Sequence, residues 1–218
     1  MGNLWNCIIL DTKVKDGKKV CAIKNKEGNI TYFDDILEES LDDFVKDIEA
    51  KAKKEGKTAN EYLDELAELR NRTKPSKSKN PFAKPSGRVT KISPNLEEYN
   101  KISLELENEA AEILAKEGYD IEQNPVVRET LKNPDYKIEG NIFDCYSPSE
   151  DKAVRGVWTE IAKKVEKGQT KKIVLQLKIW KGDLTKLQQQ FSDWPIEGLE
   201  EVIYITKNNK IDHLKLTK

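Results

Sequence analysis

The chain has 218 residues, of which 35% are charged and 37% hydrophobic, and its formal net charge at pH 7 is -1. No apolar run approaches the ~20 residues of a membrane-spanning helix, so no membrane span is expected, and the short run Cys7-Ile8-Ile9-Leu10 predicts no classical signal peptide. The single histidine, His213, excludes a two-histidine ribonuclease mechanism, and three scattered cysteines predict neither a disulfide framework nor a zinc knuckle.

Residues 1–70 predict a small α+β module. Short β-rich segments at 5–10, 20–24 and 30–33 are separated by glycine-containing turns. An amphipathic helix from about residue 36 to 54 follows, and Thr58 is placed to cap a second helix. We find no catalytic constellation in this module, and its role, such as delivery or entry, is left open.

Residues 71–95 predict a basic linker rich in proline, serine and lysine. The stretch leaves no periodic apolar stripe, which favours an extended or disordered segment. Eight basic residues and no acidic one lie between positions 70 and 91: Arg70, Arg72, Lys74, Lys77, Lys79, Lys84, Arg88 and Lys91. Such a patch can hold phosphates, although a solvated linker has the same composition.

Residues 96–218 predict an α/β domain. A long helix at 96–116 is followed by a strand at 119–123 and by two strands at 136–146 that turn at Glu139-Gly140-Asn141. A helix at 151–167, a buried strand at 172–180, a helix at 184–191 and strands at 201–206 and 211–216 complete the order. This order predicts a central mixed sheet flanked by helices.

Two aspartates are the most informative feature of this domain. Asp135 and Asp144 flank a short β-type segment, and Gly140 provides a position at which the chain can turn back on itself. Hydrolysis of a phosphodiester needs a hard cation, and Mg²⁺ or Mn²⁺ prefers carboxylate oxygens. The pattern therefore predicts that both carboxylates meet at one metal ion.

The third carboxylate is expected on the helix at 96–116, which offers Glu105, Glu107, Glu109 and Glu112. Its apolar stripe consists of Leu106, Ala110, Ile113 and Leu114. Glu109 lies about 60° from Leu106, at the margin of the stripe, whereas Glu105 and Glu112 lie about 100° and 120° away. A carboxylate that enters a site beside the core should lie at this margin, so Glu109 is the predicted third ligand.

A lysine is expected near the acids, to position water or to neutralise developing charge. Lys164 lies about 60° from the inward-facing Ile161, whereas Lys163 faces solvent, and Lys178 in the following strand is a rival. The residues around the helix end are predicted to contact substrate phosphates: Lys163, Lys167, Gln169, Thr170, Lys171 and Lys172.

With these residues in hand, the segment from about 105 to 216 resembles the C-terminal toxin domains of CdiA-type contact-dependent growth inhibition proteins. The branch that it resembles has a PD-(D/E)xK-like nuclease fold, and its studied members cleave transfer RNA. The resemblance covers about half of the chain. It rests on Asn108-Glu109-Ala110-Ala111, Gly118-Tyr119, Gln123-Asn124-Pro125, Asn133-Pro134-Asp135-Tyr136, Ile138-Glu139-Gly140, Phe143-Asp144-Cys145-Tyr146-Ser147-Pro148, Lys164-Val165-Glu166-Lys167-Gly168-Gln169 and the strand Ile173 to Leu177.

The resemblance implies a metal site at Glu109, Asp135 and Asp144, completed by a lysine of the 151–167 helix. Tyr146 stands where the general nuclease motif has its lysine, which leaves the choice among Lys163, Lys164 and Lys178 open. The expected cofactor is a divalent metal, Mg²⁺ first, with Mn²⁺ or Zn²⁺ as alternatives. The resemblance also implies a cognate immunity protein and an effector that is delivered or secreted and acts in the cytoplasm of the target cell.

Two alternatives to an RNase toxin stay open at this point. The same cation chemistry would serve a DNA endonuclease of the same fold. A protein of a different class, a non-enzymatic interaction protein, would carry the same acids as ordinary surface charges. Cleavage tests on RNA and plasmid DNA distinguish the DNA endonuclease from the RNase toxin. A test of metal affinity distinguishes the non-enzymatic interaction protein from both.

Overall fold

The computed structural model describes residues 8–15, 18–24, 30–33, 41–126, 134–168 and 170–216. The chain divides into two units, Met1–Arg72 and Thr73–Lys218. Each unit has its own set of strands and helices, so the prediction of an N-terminal α+β module followed by an α/β domain matches the observed order of elements. No helix in the described ranges is long and apolar enough to cross a membrane.

The first unit contains a three-stranded antiparallel sheet and two helices. The strands are β1 (Ile8–Lys15), β2 (Lys18–Lys24) and β3 (Ile30–Phe33), and the helices are α1 (Leu41–Lys54) and α2 (Ala59–Asn71). The predicted cap of α2 is confirmed, because the Thr58 hydroxyl accepts a hydrogen bond from the Glu61 backbone and the Glu61 carboxylate accepts one from the Thr58 backbone.

The second unit is built on seven strands and three helices in its described residues. The strands are β4 (Ser86–Gly87), β5 (Ile121–Gln123), β6 (Tyr136–Ile138), β7 (Asn141–Tyr146), β8 (Lys172–Gln176), β9 (Glu201–Ile205) and β10 (Ile211–His213). The helices are α3 (Glu98–Lys116), α4 (Val154–Glu166) and α5 (Leu184–Asp193). The predicted hairpin is confirmed, since Glu139 and Gly140 turn the chain between β6 and β7 with positive φ angles of 48° and 81°.

The strands form one mixed sheet in the order β10-β9-β8-β7-β6-β5-β4. β5, β6 and β7 pair in antiparallel fashion, whereas β7, β8 and β9 are parallel and are connected through α4 and α5. The sheet is covered on both faces. Buried residues of α3 pack with Phe143, Val174 and Ile203, and those of α4 and α5 pack with Ile173, Leu175 and Val202. The predicted mixed sheet flanked by helices is therefore confirmed.

The prediction that residues 71–95 form a linker is wrong. Residues from Thr73 onward belong to the second unit, and their backbone is tied to it: Lys77 N donates to Gly118 O, and Asn80 N donates to Lys116 O, both at 2.9 Å. β4 extends the sheet at its edge by pairing with β5 in parallel. Backbone hydrogen bonds hold this segment against the rest of the second unit, and such bonds cannot be predicted from the pattern of side chains.

A buried carboxylate fixes the start of the second unit. Glu201 is 5% exposed, and its two oxygens accept hydrogen bonds of 2.7 Å from the backbone and the hydroxyl of Thr73. Lys172 Nζ lies 3.2 Å from the same carboxylate and His213 Nε2 lies 3.1 Å from it. Burial alone would raise the pKa of Glu201, but the contacts with His213 and Thr73 and the charge of Lys172 hold it at about 2.

Candidate active site

Asp135 and Asp144 come together where β6 and β7 separate. Tyr136 is paired with Phe143, so extending the antiparallel register by one residue places Asp135 opposite Asp144. Asp135 Oδ2 accepts a hydrogen bond of 2.7 Å from the backbone of Cys145, and Asp144 is only 5% exposed. The two aspartates are therefore opposed in the sheet, and their binding to one metal ion stays a prediction.

Lys164 is the lysine that reaches the acids. It projects from α4, and its Nζ lies 3.5 Å from Asp144 Oδ2. The side chain of Lys164 is 25% exposed and that of Asp144 is 7% exposed, so the pair is largely shielded from bulk water. Lys163 instead lies 3.2 Å from Glu160 on the same helix, as its solvent-facing position predicts.

Glu107 is the glutamate that the structure places with these residues. Its pKa is raised to about 7, first by burial and then by the negative charge of Asp135, with a smaller effect of Asp144. A hydrogen bond from Thr90 and the charge of Lys164 act in the opposite direction without cancelling the rise. Glu107 therefore shares one electrostatic environment with Asp135, Asp144 and Lys164.

The pKa of Asp135 is raised as well. Burial is the largest cause, and the negative charge of Asp144 adds to it, whereas the hydrogen bond from the Cys145 amide and the charge of Lys164 act in the opposite direction. The acid cluster, defined here as Glu107, Asp135 and Asp144, thus holds three carboxyl groups, and Lys164 is the ammonium group that the described residues place beside them. Such a cluster stabilises a cation and disfavours full ionisation without one.

Glu109, the predicted third ligand, does not join this cluster. Its carboxylate pairs with Lys178, the rival lysine, and both side chains are at least 32% exposed. The buried face of α3 is wider than the predicted apolar stripe, because Ala111 and Ala115 are also buried. They move the centre of the buried face toward Glu107 and away from Glu109, since successive helical residues are rotated by about 100°. This alanine pair is the signal that could have identified Glu107.

Thr90, which sequence reasoning missed, orients Glu107. Its hydroxyl donates a 2.5 Å hydrogen bond to Glu107 Oε1 and accepts one of 2.8 Å from Asn124 Nδ2. The side chain of Asn108 brackets the Thr90 backbone, accepting from its N–H and donating to its carbonyl, both at 3.0 Å. The buried Gln123 donates to the same Asn108 oxygen. Thr90 is therefore a positioning residue held by three amide side chains.

If the site cleaves RNA, as the resemblance implies, we expect the Thr90→Val variant to shift this cleavage to higher pH. Valine keeps the shape of threonine but removes the hydroxyl that favours ionised Glu107, so the pKa of Glu107 should rise further. Loss of one hydrogen bond to a charged group predicts a drop of about tenfold in rate at pH 7 that recovers at higher pH. The pH profile of cleavage measures this shift. Thr90→Ser, which keeps the hydroxyl, is the control, and equal losses in both variants would contradict the assignment.

The predicted RNA-contact residues have mixed surroundings. Lys171 lies 3.1 Å from Glu200 and Lys172 lies 3.2 Å from the buried Glu201, so both have acidic partners. Thr170 is 7% exposed, and its hydroxyl donates to the Lys172 carbonyl at 2.7 Å. Gln169 lies outside the described residues. RNA contact by Lys163, Lys167 and the others stays a prediction.

The donor set of the acid cluster suits a hard cation. Its ligands are carboxylate oxygens, which Mg²⁺ and Mn²⁺ prefer. Within the described ranges, no group of three or more His, Cys, Asp or Glu side chains is arranged to hold a metal ion. Mg²⁺ commonly uses only one or two carboxylates and takes its other ligands from water and substrate phosphate. Asp135 and Asp144, which oppose each other, fit that mode of binding.

Three comparisons with known proteins agree. The sequence model described as "Contact-dependent growth inhibition CdiA C-terminal domain" matches residues 132–211. A protein of Burkholderia pseudomallei (strain 1026b) named "tRNA nuclease CdiA-2" is 41% identical over 130 residues, which is 60% of this chain and 4% of that protein. A solved structure, "CdiA-CT/CdiI toxin and immunity complex from Burkholderia pseudomallei", is 40% identical with a TM-score of 0.56, and the match covers 61% of this chain and 98% of that one.

Proposed function

Because the chain belongs to the family of CdiA C-terminal domains of contact-dependent growth inhibition, we propose that its second unit is a toxin nuclease that hydrolyses transfer RNA with the help of a divalent metal. The observation that carries the proposal is the convergence of Glu107, Asp135, Asp144 and Lys164. The name of the relative supplies the substrate class, since that protein is called a tRNA nuclease.

Each residue of the site has a role that follows from its surroundings. A bound divalent cation would supply phosphate binding and activation of water, and Asp135 and Asp144 would hold it. Lys164, which faces Asp144, carries the positive charge that stabilises the negative charge developing on the scissile phosphate. Glu107, with a pKa of about 7, can accept a proton at neutral pH, which is the property of a general base.

We assign the fold to the PD-(D/E)xK-like nucleases. Support comes from the position of the acids at the junction between the antiparallel and parallel parts of the sheet. In this assignment Lys164 of α4 replaces the lysine that the motif has at the position of Tyr146. Tyr146 packs against the apolar cluster beneath α4 and α5 and carries no charge for this task.

The same family supports a partner and a route of action. The solved relative is a complex of toxin and immunity protein. We therefore propose that a cognate immunity protein neutralises this chain, and that the chain is a delivered effector whose substrate lies in the cytoplasm of the target cell.

We expect purified full-length protein to cleave transfer RNA in the presence of Mg²⁺ and to lose this activity in the Asp144→Asn variant. Asparagine keeps the size of aspartate but lacks the charge needed to bind a cation and to pair with Lys164, so a loss of at least about a thousandfold is expected. The assay places transfer RNA and plasmid DNA side by side, with Mg²⁺, Mn²⁺, Zn²⁺ or EDTA.

Asp120→Asn is the matched control, because Asp120 pairs with Lys77 on the surface and is 61% exposed. Cleavage that persists in EDTA would contradict the proposed dependence on a metal. Undiminished cleavage by Asp144→Asn would show that the acid cluster is not the active site. Cleavage of plasmid in preference to RNA would favour the DNA endonuclease.

A further inference from the structure

A short cationic segment lies at the edge of the sheet in the second unit. We call residues 84–91 the basic strap. It contains β4 and carries Lys84, Arg88 and Lys91 without an acidic residue. All three cationic side chains are exposed. The strap is part of the stretch that was predicted to be a linker, and the structure gives it a defined place.

The described part of the chain holds no acid that pairs with the charges of the strap. Among the described residues, no carboxylate lies within ion-pair distance of Lys84, Arg88 or Lys91. The lysines predicted to bind RNA differ in this respect: Lys163, Lys171 and Lys172 each have an acidic partner within 3.2 Å. Phosphate contact by the strap therefore does not require an ion pair to be broken first.

The backbone of the strap is held in one path. Ser86 Oγ donates to the carbonyl of Ile121 at 2.9 Å, and Arg88 N donates to the carbonyl of Gln123 at 2.9 Å. Asn124 Nδ2 donates to the carbonyl of Arg88 at 2.7 Å. Gly87 has a φ of +82°, and a Cβ there would lie 2.2 Å from Gln123 O, so only glycine fits. The charged side chains consequently project from a fixed support.

The strap ends at the candidate active site. Thr90, between Val89 and Lys91, donates the hydrogen bond that orients Glu107. An extended chain advances by at most about 3.6 Å per residue, so the Cα atoms of Arg88 and Lys91 lie within about 7 Å of that of Thr90. The backbone positions of both cationic residues are thus within about 7 Å of a residue that contacts the acid cluster.

We propose that the basic strap binds the phosphate backbone of the RNA strand and guides that strand to the acid cluster, with Arg88 and Lys91 as the main contacts. This inference rests on the proposed nuclease function and specifies how the substrate is held. The three carboxyl groups of the acid cluster repel a polyanion, and the exposed cations of the strap, which have no acidic partner among the described residues, offset this repulsion. Backbone contacts of this kind are independent of base sequence and depend strongly on salt.

The test measures binding of transfer RNA to the full-length chain by fluorescence anisotropy at several salt concentrations. The Asp144→Asn background prevents cleavage during the measurement. The Arg88→Ala/Lys91→Ala variant is expected to bind about tenfold more weakly at low salt. Its slope of log K against log salt should become shallower by roughly 1.4, because each phosphate contact to a single strand contributes about 0.7.

The matched control is Lys186→Ala/Lys207→Ala. Both lysines are exposed and have no acidic partner among the described residues, and Lys207 follows β9 at the other end of the sheet from β4. This variant should bind within about twofold of the parent and keep its salt slope. The charge-preserving variant Arg88→Lys/Lys91→Arg should also retain binding, which separates loss of charge from loss of structure.

An unchanged salt slope in Arg88→Ala/Lys91→Ala, or an equal loss in the control variant, would overturn the role of the strap. In the cleavage-competent protein, the strap variant should raise KM for RNA and leave kcat within about twofold. A loss confined to kcat would also contradict RNA binding. Failure of the proposed function has a different signature, because wild-type protein would then leave RNA uncut whatever its affinity.

Discussion

Glu107→Gln is expected to lower the rate of RNA cleavage at least a hundredfold, whereas Glu109→Gln should change it by less than about threefold. The two residues lie on the same helix, α3, and differ in surroundings. Glu107 interacts with Asp135, Asp144 and Lys164, while Glu109 pairs with Lys178 at the surface. The measurement is the initial rate of cleavage at saturating RNA and metal. Equal rates in wild type and Glu107→Gln would contradict the role of Glu107 in the site. A large loss in Glu109→Gln alone would favour Glu109 as the third carboxylate.

A second readout of the same variant does not depend on activity. The pKa of Glu107 is raised from 4.5 to about 7 in the folded protein, so the protonated carboxyl group favours the fold. This contribution is fully present below pH 4.5 and is lost as the pH rises through 7, amounting to roughly 2 kcal/mol after allowance for partial exposure. In EDTA, wild-type protein should therefore lose stability between pH 5 and 8. Glutamine at this position cannot ionise and should remove that loss.

Glu201→Ala is expected to destabilise the second unit by about 3 kcal/mol or more, the largest effect on stability that the structure predicts. Removal of the carboxylate leaves the backbone N–H and hydroxyl of Thr73 without their acceptor and leaves Lys172 without its counter-ion. Urea unfolding followed by tryptophan fluorescence reports on this unit, because Trp158, Trp180 and Trp194 lie in it and only Trp5 lies outside.

The neighbouring residue provides the control for this prediction. Glu200 pairs with Lys171, and its side chain is 48% exposed. Glu200→Ala should change stability by less than about 1 kcal/mol, because exposed ion pairs contribute little. If both variants were equally stable, the buried network would have no special role.

Lowering the pH should destabilise wild-type protein through protonation of Glu201. The pKa of Glu201 is lowered from 4.5 to about 2, so its ionised form stabilises the fold above pH 4.5, and that stabilisation is lost as the pH falls toward 2. Between pH 5 and 2, wild type should lose roughly 3 kcal/mol more than Glu201→Ala. Parallel pH curves for the two proteins would contradict this assignment.

Local sequence patterns were sufficient for most elements of the second unit. The period of Val157 and Ile161 identifies α4, the continuous apolar run at Ile173 identifies β8, and the glycine turn at Gly140 identifies the hairpin of β6 and β7. These signals are carried by side chains within about ten residues of one another, where periodicity and turn chemistry act directly.

The candidate site was only partly visible in the same patterns. Asp135 and Asp144 could be paired because a short hairpin joins them, and Lys164 because its helix position is defined by Ile161. Glu107 was missed because its face of α3 is buried by alanines, which are weak signals of a core position. Thr90 was missed because a segment without periodicity gives no indication of which side chain is tied to a distant helix.

Local patterns predict the order of helices and strands, the importance of the two aspartates and the cationic character of residues 70–91. The three-dimensional fold adds that the cationic segment is bound to the sheet edge, that Glu107 rather than Glu109 faces the aspartates, and that Glu201 is a buried anchor. The difference arises because periodicity depends on neighbours in the chain. Hydrogen bonds such as that between Thr73 and Glu201 join residues far apart in the chain, and the fold alone brings those residues together.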